Sequence, residues 1–262
     1  MPIRHKDMEC SQQHGVETIK NRIFSIDNPK AIKAQAYGYL NAIHYMAPHR
    51  LAGVGNLCGD ASPGCIEICL GQHSGAAVYY PTVIHSRIAK ARRFMKDRKA
   101  YLRDMWQATR VAMRQAEKAS LALCARPNGS TDIAWEGIRN ENNVTIMQAF
   151  PTVQFTDYTK SFKRALAHAR GELPKNYHLT FSHSEKNEAQ CVEILRAGGN
   201  VAVVFAGGAP TRWNGFPTID GDAHDLRHLD GRGVVVALSP KGHKAKRDTS
   251  GFVVRGGFGN IA

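Results

Sequence analysis

Nowhere in the 262 residues does an apolar run approach the roughly 18 consecutive residues that a membrane span requires. The opening Met-Pro-Ile-Arg-His-Lys-Asp lacks the apolar core of a signal peptide. The chain is therefore expected in the cytoplasm, without a membrane partner. Acidic residues are scarce, 22 against 35 Lys and Arg, and the net charge of +13 points to a polyanionic partner, DNA or RNA. There is no internal repeat and no low-complexity linker. The paired glycines Gly207-Gly208 and Gly256-Gly257 belong to neither a G-x-G-x-x-G fingerprint nor a P-loop, so no nucleotide site is assigned to them.

Cysteine is also scarce, six in all, yet three fall in one segment, Cys58-Gly-Asp-Ala-Ser-Pro-Gly-Cys65-Ile-Glu-Ile-Cys69. Ser62-Pro63 reads as a helix N-cap followed by proline at the first helical position. Cys65 then lies in the first turn, and Cys69 follows on the same face. Cys58 would approach from the loop. A helix N-terminus lowers thiol pKa, which favours thiolate ligands. Packing of small buried cysteines, or a disulfide within the triplet, is the plainer alternative.

A structural zinc site needs four protein ligands, and no second Cys-x-x-Cys occurs here. A [4Fe-4S] cluster held by Cys58, Cys65 and Cys69 would leave one iron for a small molecule or a remote side chain. The cluster is favoured, with zinc as the alternative. Cys10, Cys124 and Cys191 stand apart.

Between Thr82 and Ala119 the residues Ile84, Ile88, Ala91, Met95, Leu102, Trp106, Thr109, Met113 and Ala116 recur every three or four positions. That spacing predicts one amphipathic helix or two in succession. Arg92, Lys96, Lys99, Arg103, Arg110, Arg114 and Lys118 follow the same rhythm on an adjacent face. They form either a basic stripe able to track phosphates or an ordinary solvated helix face.

The remainder alternates. Leu121–Ala125, Val153–Thr156, Tyr177–Phe181, Val201–Ala206 and Gly233–Leu238 read as strands, with Leu51–Leu57 a candidate first strand. Ala134–Ala149, Lys160–Gly171 and Glu185–Ala197 read as covering helices. The expectation is a single α/β domain over residues 1–262, with 1–50 as a helical extension centred on Pro29–Tyr45. A parallel-strand partial (β/α) barrel is the architecture that follows. Polar clusters follow the strands: Arg126, Asn128 and Asp132, then Asp157, Tyr158 and Lys160, then Ser182, His183, Ser184 and Glu185, and finally Lys241. In parallel α/β folds such strand ends line the ligand cleft. The segment Asp220-Gly-Asp222-Ala-His224-Asp225 adds carboxylates and an imidazole. It is expected to share that cleft, with His224 a candidate fourth cluster ligand.

The chain resembles an uncharacterised bacteriophage family labelled gene product eighty-eight. The resemblance rests on Gly55-Asn-Leu-Cys58, Ala61-Ser-Pro-Gly-Cys65 with Cys69, Arg87-Ile-Ala-Lys90, Asn128-Gly-Ser-Thr-Asp132-Ile-Ala-Trp135, Phe155-Thr-Asp-Tyr-Thr-Lys160, Tyr177-His-Leu-Thr-Phe-Ser182, Asp220-Gly-Asp-Ala-His-Asp225 and Ser250-Gly-Phe-Val-Val254. It implies a phage-encoded protein and brings no established activity. More distantly, a strand, a three-cysteine loop and βα alternation are similar to radical S-adenosylmethionine enzymes. Their motif is Cys-x-x-x-Cys-x-x-Cys, shorter than the spacing here. That similarity implies a TIM-like partial barrel and S-adenosylmethionine at the open iron. The expectations are thus an iron-sulfur protein, a radical-S-adenosylmethionine-like enzyme on nucleic acid or a small molecule, a non-catalytic nucleic-acid binder, or an electron-transfer protein.

Overall fold

The computed structural model describes residues 23–256. Residues 1–22, which carry Cys10 and the first part of the expected extension, lie outside the described residues. One large sheet dominates: β1 (Phe24–Ser25), β2 (Tyr39–His44), β3 (Ala122–Arg126), β4 (Gln154–Thr159), β5 (Tyr177–Ser182), β6 (Asn200–Ala206), β7 (Arg212–Trp213), β8 (Phe216–Asp220), β9 (Val235–Leu238) and β10 (Val253–Arg255). Their spatial order is β1-β2-β3-β4-β5-β6-β9-β8-β7, with β10 beside β6. Only the outer pairs β1/β2 and β7/β8 are antiparallel. The sheet is mixed and mostly parallel, and it does not close. The expected barrel is therefore corrected to an open α/β sheet.

From β2 to β6 each strand pairs with the next in sequence, always in the same direction. Right-handed crossovers then place the longer connecting helices on one face. Alternation along the strands agrees. Leu40, Ala42, Leu123, Ala125, Phe155, Tyr177 and Leu179 share a core with Tyr101, Met105 and Trp106 of the helix Arg98–Lys118. Phe181, Val201, Val203 and Val235 pack with Ala165 of Phe162–Ala169 and with Ile194 and Leu195 of Glu188–Arg196. The intervening residues point to the other, inner face, where Asn41, Arg126, Thr156, Tyr158 and Thr180 are polar. Ala34, Leu226 and the fully buried Arg227 close its lower part, while its upper part opens into a cavity.

Three expectations fail locally. Pro29–Tyr45 is not one helix: Pro29–Lys33 and the 3-10 turn Ala34–Tyr37 end at Gly38, whose φ of 80° suits glycine, and the chain enters β2. The strand is buried along nearly its whole length, so it lacks the alternation that would mark it out. Leu51–Leu57 is a run of turns rather than a strand, with Gly53 and Gly55 at positive φ. The segment Ala134–Ala149 forms only a 3-10 turn at Trp135–Gly137 and a short helix at Ile146–Ala149. The basic stretch is two helices, Pro81–Lys96 and Arg98–Lys118. They break at Asp97, whose carboxylate accepts the Ala100 N–H at 2.9 Å as an N-cap.

Candidate functional site

A cavity of about 220 Å³ lies over the C-terminal ends of β3 to β6 and β9, and Cys58, Cys65 and Cys69 all line it. Local chemistry fixes the cysteine segment. Ser62 caps the short helix Pro63–Glu67, its Oγ accepting the Cys65 N–H at 3.2 Å. Glu185, far away in sequence after β5, accepts from Ser62 Oγ at 2.8 Å and from the Gly64 N–H at 3.0 Å. A carboxylate at a helix N-terminus is favourable. Gly64 keeps this approach close: a Cβ there would stand 2.5 Å from Ser250 Oγ and 2.8 Å from Glu185 Oε2, so a larger residue would displace those side chains. The Asp132 N–H donates to Leu57 O, which pairs the loop after β3 with the cysteine loop. That loop is wound about Asn128, whose Oδ1 accepts from Thr131, Ile133 and Trp135.

Cys58 Sγ accepts the His49 N–H at 3.2 Å. The Gly71 and Gln72 N–H groups act on Cys69. Burial outweighs these donors: it pushes the Cys58 thiol up to about 12 and the Cys69 thiol up to about 11, with the neighbouring thiols adding to the rise. Burial also raises Cys65, against the opposing influence of Lys160. The expectation that the helix N-terminus lowers these thiols is therefore corrected for the metal-free protein, since five residues of helix do not offset desolvation. Binding a metal reverses this balance, because a coordinated thiol is deprotonated outright.

Across the cavity, Arg126 pairs with Asp225 at 3.1 Å and lies 4.7 Å from the centroid of the Tyr158 ring. Lys241 pairs with Asp222 at 3.1 Å. Asp132 is bound by Arg164 at 2.5 Å and accepts the Lys160 N–H at 2.7 Å. Lys160 Nζ donates to the carbonyls of Ser182 and His183.

Of the expected cleft residues, Arg126, Asn128, Asp132, Lys160, Lys241 and Asp222 line the cavity. Asp157 does not: it shares the helix-covered face with Phe155 and holds Asn128 through its N–H and its Nδ2, with Tyr177 OH donating as well. Burial pushes Asp157 up to about 7. His224 and Asp220 are also outside the cavity wall. His224 packs edge-on against Tyr37, and its Nδ1 accepts the Leu226 N–H at 3.2 Å, so the structure does not bring it to the cysteines. Asp225 reaches the site through Arg126. The stripe residues Arg92, Lys96, Lys99, Arg103, Arg110, Arg114 and Lys118 are all exposed on the two basic helices, although Arg92 Nε donates to Ala52 O.

Phe252, Ser239, Ser130 and Leu238 also line the wall. Ser250-Gly-Phe-Val-Val254 was a hint, since a phenylalanine between two polar turns and a final strand must pack on something. Beneath the cavity, both amide atoms of Asn41, Arg126 Nε, Thr156 Oγ1, Tyr158 OH and Thr180 Oγ1 are buried with no hydrogen-bond partner. Such a concentration on one sheet face is uncommon for buried polar groups. Among the described residues, no three His, Cys, Asp or Glu side chains are gathered closely enough to hold one metal ion.

An open, mostly parallel α/β sheet with a cavity at its strand ends defines the class of protein. More particularly, the chain belongs to the Gene product 88 family, whose model matches residues 20–256. No curated protein matches the chain. No solved structure matches it either.

Proposed function

We propose that this is a phage-encoded iron-sulfur protein of the host cytoplasm, with Cys58, Cys65 and Cys69 as ligands of a [4Fe-4S] cluster facing a small-molecule cavity. The observation that carries the reading is the convergence of three half-buried thiols on one cavity wall without the tight set that a single ion needs. A cubane takes each thiolate on a separate iron and so accepts a wider spread than tetrahedral zinc, which makes zinc the weaker alternative. The unpartnered polar atoms on the inner face add support, since a ligand site tolerates polar groups that a plain core does not.

When bound, the cluster would supply an open iron for a ligand, or one-electron transfer. The chain's own residues shape the rest: Glu185 and Ser62 hold the cysteine turn, Asp132 ties it to β4, and Arg126, Lys160 and Lys241 line the space opposite. A radical-S-adenosylmethionine-like enzyme on this open sheet is the more specific form of this reading. Its support is the unreversed order β2 to β6, with the cysteine loop following the first parallel strand.

A second reading, a nucleic-acid binder with a structural cluster, is favoured by the exposed stripe on Pro81–Lys96 and Arg98–Lys118. An electron-transfer role would need a fourth ligand, and His224 is not placed to give it.

Anaerobic purification followed by absorption and EPR spectroscopy tests the main reading. Expected is a cluster spectrum that shifts when S-adenosylmethionine or another small ligand is added. A spectrum insensitive to every added ligand favours electron transfer or a structural role, and a colourless, iron-free protein refutes the proposal.

A further inference from the structure

Lys160 differs from the other cations of the cavity wall. Arg126 has Asp225 and Lys241 has Asp222, but among the described residues Lys160 forms no ion pair. Its Nζ donates to His183 O at 2.9 Å and, more weakly, to Ser182 O at 3.4 Å. The Phe252 ring centroid lies 4.6 Å away. Carbonyl dipoles and a ring face offset only part of the cost of partly burying an ammonium. An anion beside Nζ would offset the remainder.

The packing points to where it belongs. Phe252 follows Ser250, and Ser250 Oγ lies against Gly64, directly before Cys65. Lys160, Phe252 and the first turn of the cysteine helix are therefore layered together on the cavity wall. Lys160 and Cys65 line the same cavity.

An oxidised cubane core is doubly positive, so three thiolates give the assembly one net negative charge, and reduction by one electron makes it two. A fixed cation nearby stabilises both states and the reduced one more, because reduction potential follows net charge and surroundings. We propose that Lys160 is the counter-charge of an anionic iron-sulfur centre on Cys58, Cys65 and Cys69, a positioning residue that sets the centre's reduction potential without itself reacting. This rests on the cluster reading above.

The test uses the full chain reconstituted anaerobically with ferrous iron and sulfide, as wild type, Lys160→Gln and Lys160→Arg. Dithionite supplies the electron and is oxidised to sulfite. Gln removes the charge while keeping a donor for the carbonyls; Arg keeps the charge. With equal iron content, the Gln variant is expected to be at least tenfold harder to reduce, a fall of about 59 mV for a one-electron couple, and the Arg variant to stay near wild type.

If Arg loads and Gln does not, the charge is needed for assembly, which supports the same conclusion. Equal potentials in loaded wild type and Gln variant overturn the role of Lys160 while leaving the cluster standing. Failure of both variants to load, beside a loaded wild type, also overturns it, since shape rather than charge then governs. An iron-free wild type removes the cluster reading and this inference together.

Discussion

On the helix-covered face of the sheet, Leu40, Leu123, Phe155, Leu179 and Val203 meet apolar helix residues. On the inner face of the same sheet stand Asn41, Arg126, Thr156, Tyr158 and Thr180, and each has a buried polar atom without a partner. Asn41, Thr156 and Thr180 are as fully buried as the core residues opposite, so burial alone does not account for the difference. The first face is built as a core that holds the fold. The second carries unsatisfied polar groups beneath a cavity bordered by three thiols, the pattern of a face kept for chemistry.

The difference between the faces should show most strongly on the core side. Phe155→Ala removes a fully buried ring and should cost about 3–5 kcal/mol, read as a lower urea midpoint. A loss below about 1 kcal/mol would mean that this face is not the stabilising one.

Acid should act on both faces. Burial holds His44, on the strand beneath the basic helices, down at about 3 and His178, on the inner face, at about 3. His168, His183 and His228 are held at about 4 for the same reason. The unfolded chain binds these protons from about pH 6.5 downward and the native state does not, so stability falls as pH drops through that window. Asp157 and Asp230, raised by burial to about 7 and about 6, and Asp132, also raised by burial, work in the opposite sense, but they are three groups against seven, since burial lowers His73 and His224 as well. Expected is a falling urea midpoint from about pH 6.5 to about pH 4, with a shallower fall in His44→Gln. A midpoint that rises over this range would contradict the sign.

Charge reversal at Arg103, Arg110 and Arg114 together should weaken nucleic-acid binding and flatten its salt dependence by up to ~0.9 for each phosphate no longer neutralised. Stability should be nearly unchanged, because all three are exposed. Equal binding at matched salt would return the stripe to a solvated helix face.

The smallest effect belongs to Thr180→Val. Removing a buried hydroxyl without a partner should be neutral or stabilising by up to ~1 kcal/mol. Destabilisation would show that the hydroxyl is satisfied in solution and that the inner face is less exceptional than its geometry suggests.

Much of this two-faced sheet was legible in the sequence. The strands β3 to β6 and β9 announce themselves as short apolar runs between helical patterns, and the cysteine triplet stands out by density. Parity along β4 was also available: Asp157 is two residues from Phe155, so it belongs on the core face and not in the cleft. Other parts were hidden. Glu185 reaches Ser62 only because β5 delivers it there, a long-range pairing with no local signature. His224 sits on Tyr37 because the segment folds back under the sheet, which its mixture of Asp and His did not foretell. The first parallel strand, β2, resembles a helix in composition and is revealed only by its neighbours β1 and β3.

The most direct measurement is the iron and acid-labile sulfide content of the anaerobically purified chain, beside Cys65→Ala and Cys191→Ala. One cluster on the cavity wall predicts about four iron and four sulfide per wild-type chain, the same in Cys191→Ala, whose thiol is buried among Ala165, Ile194 and Leu195, and almost none in Cys65→Ala. Absence of iron from the wild type, or its full retention in Cys65→Ala, would contradict the account.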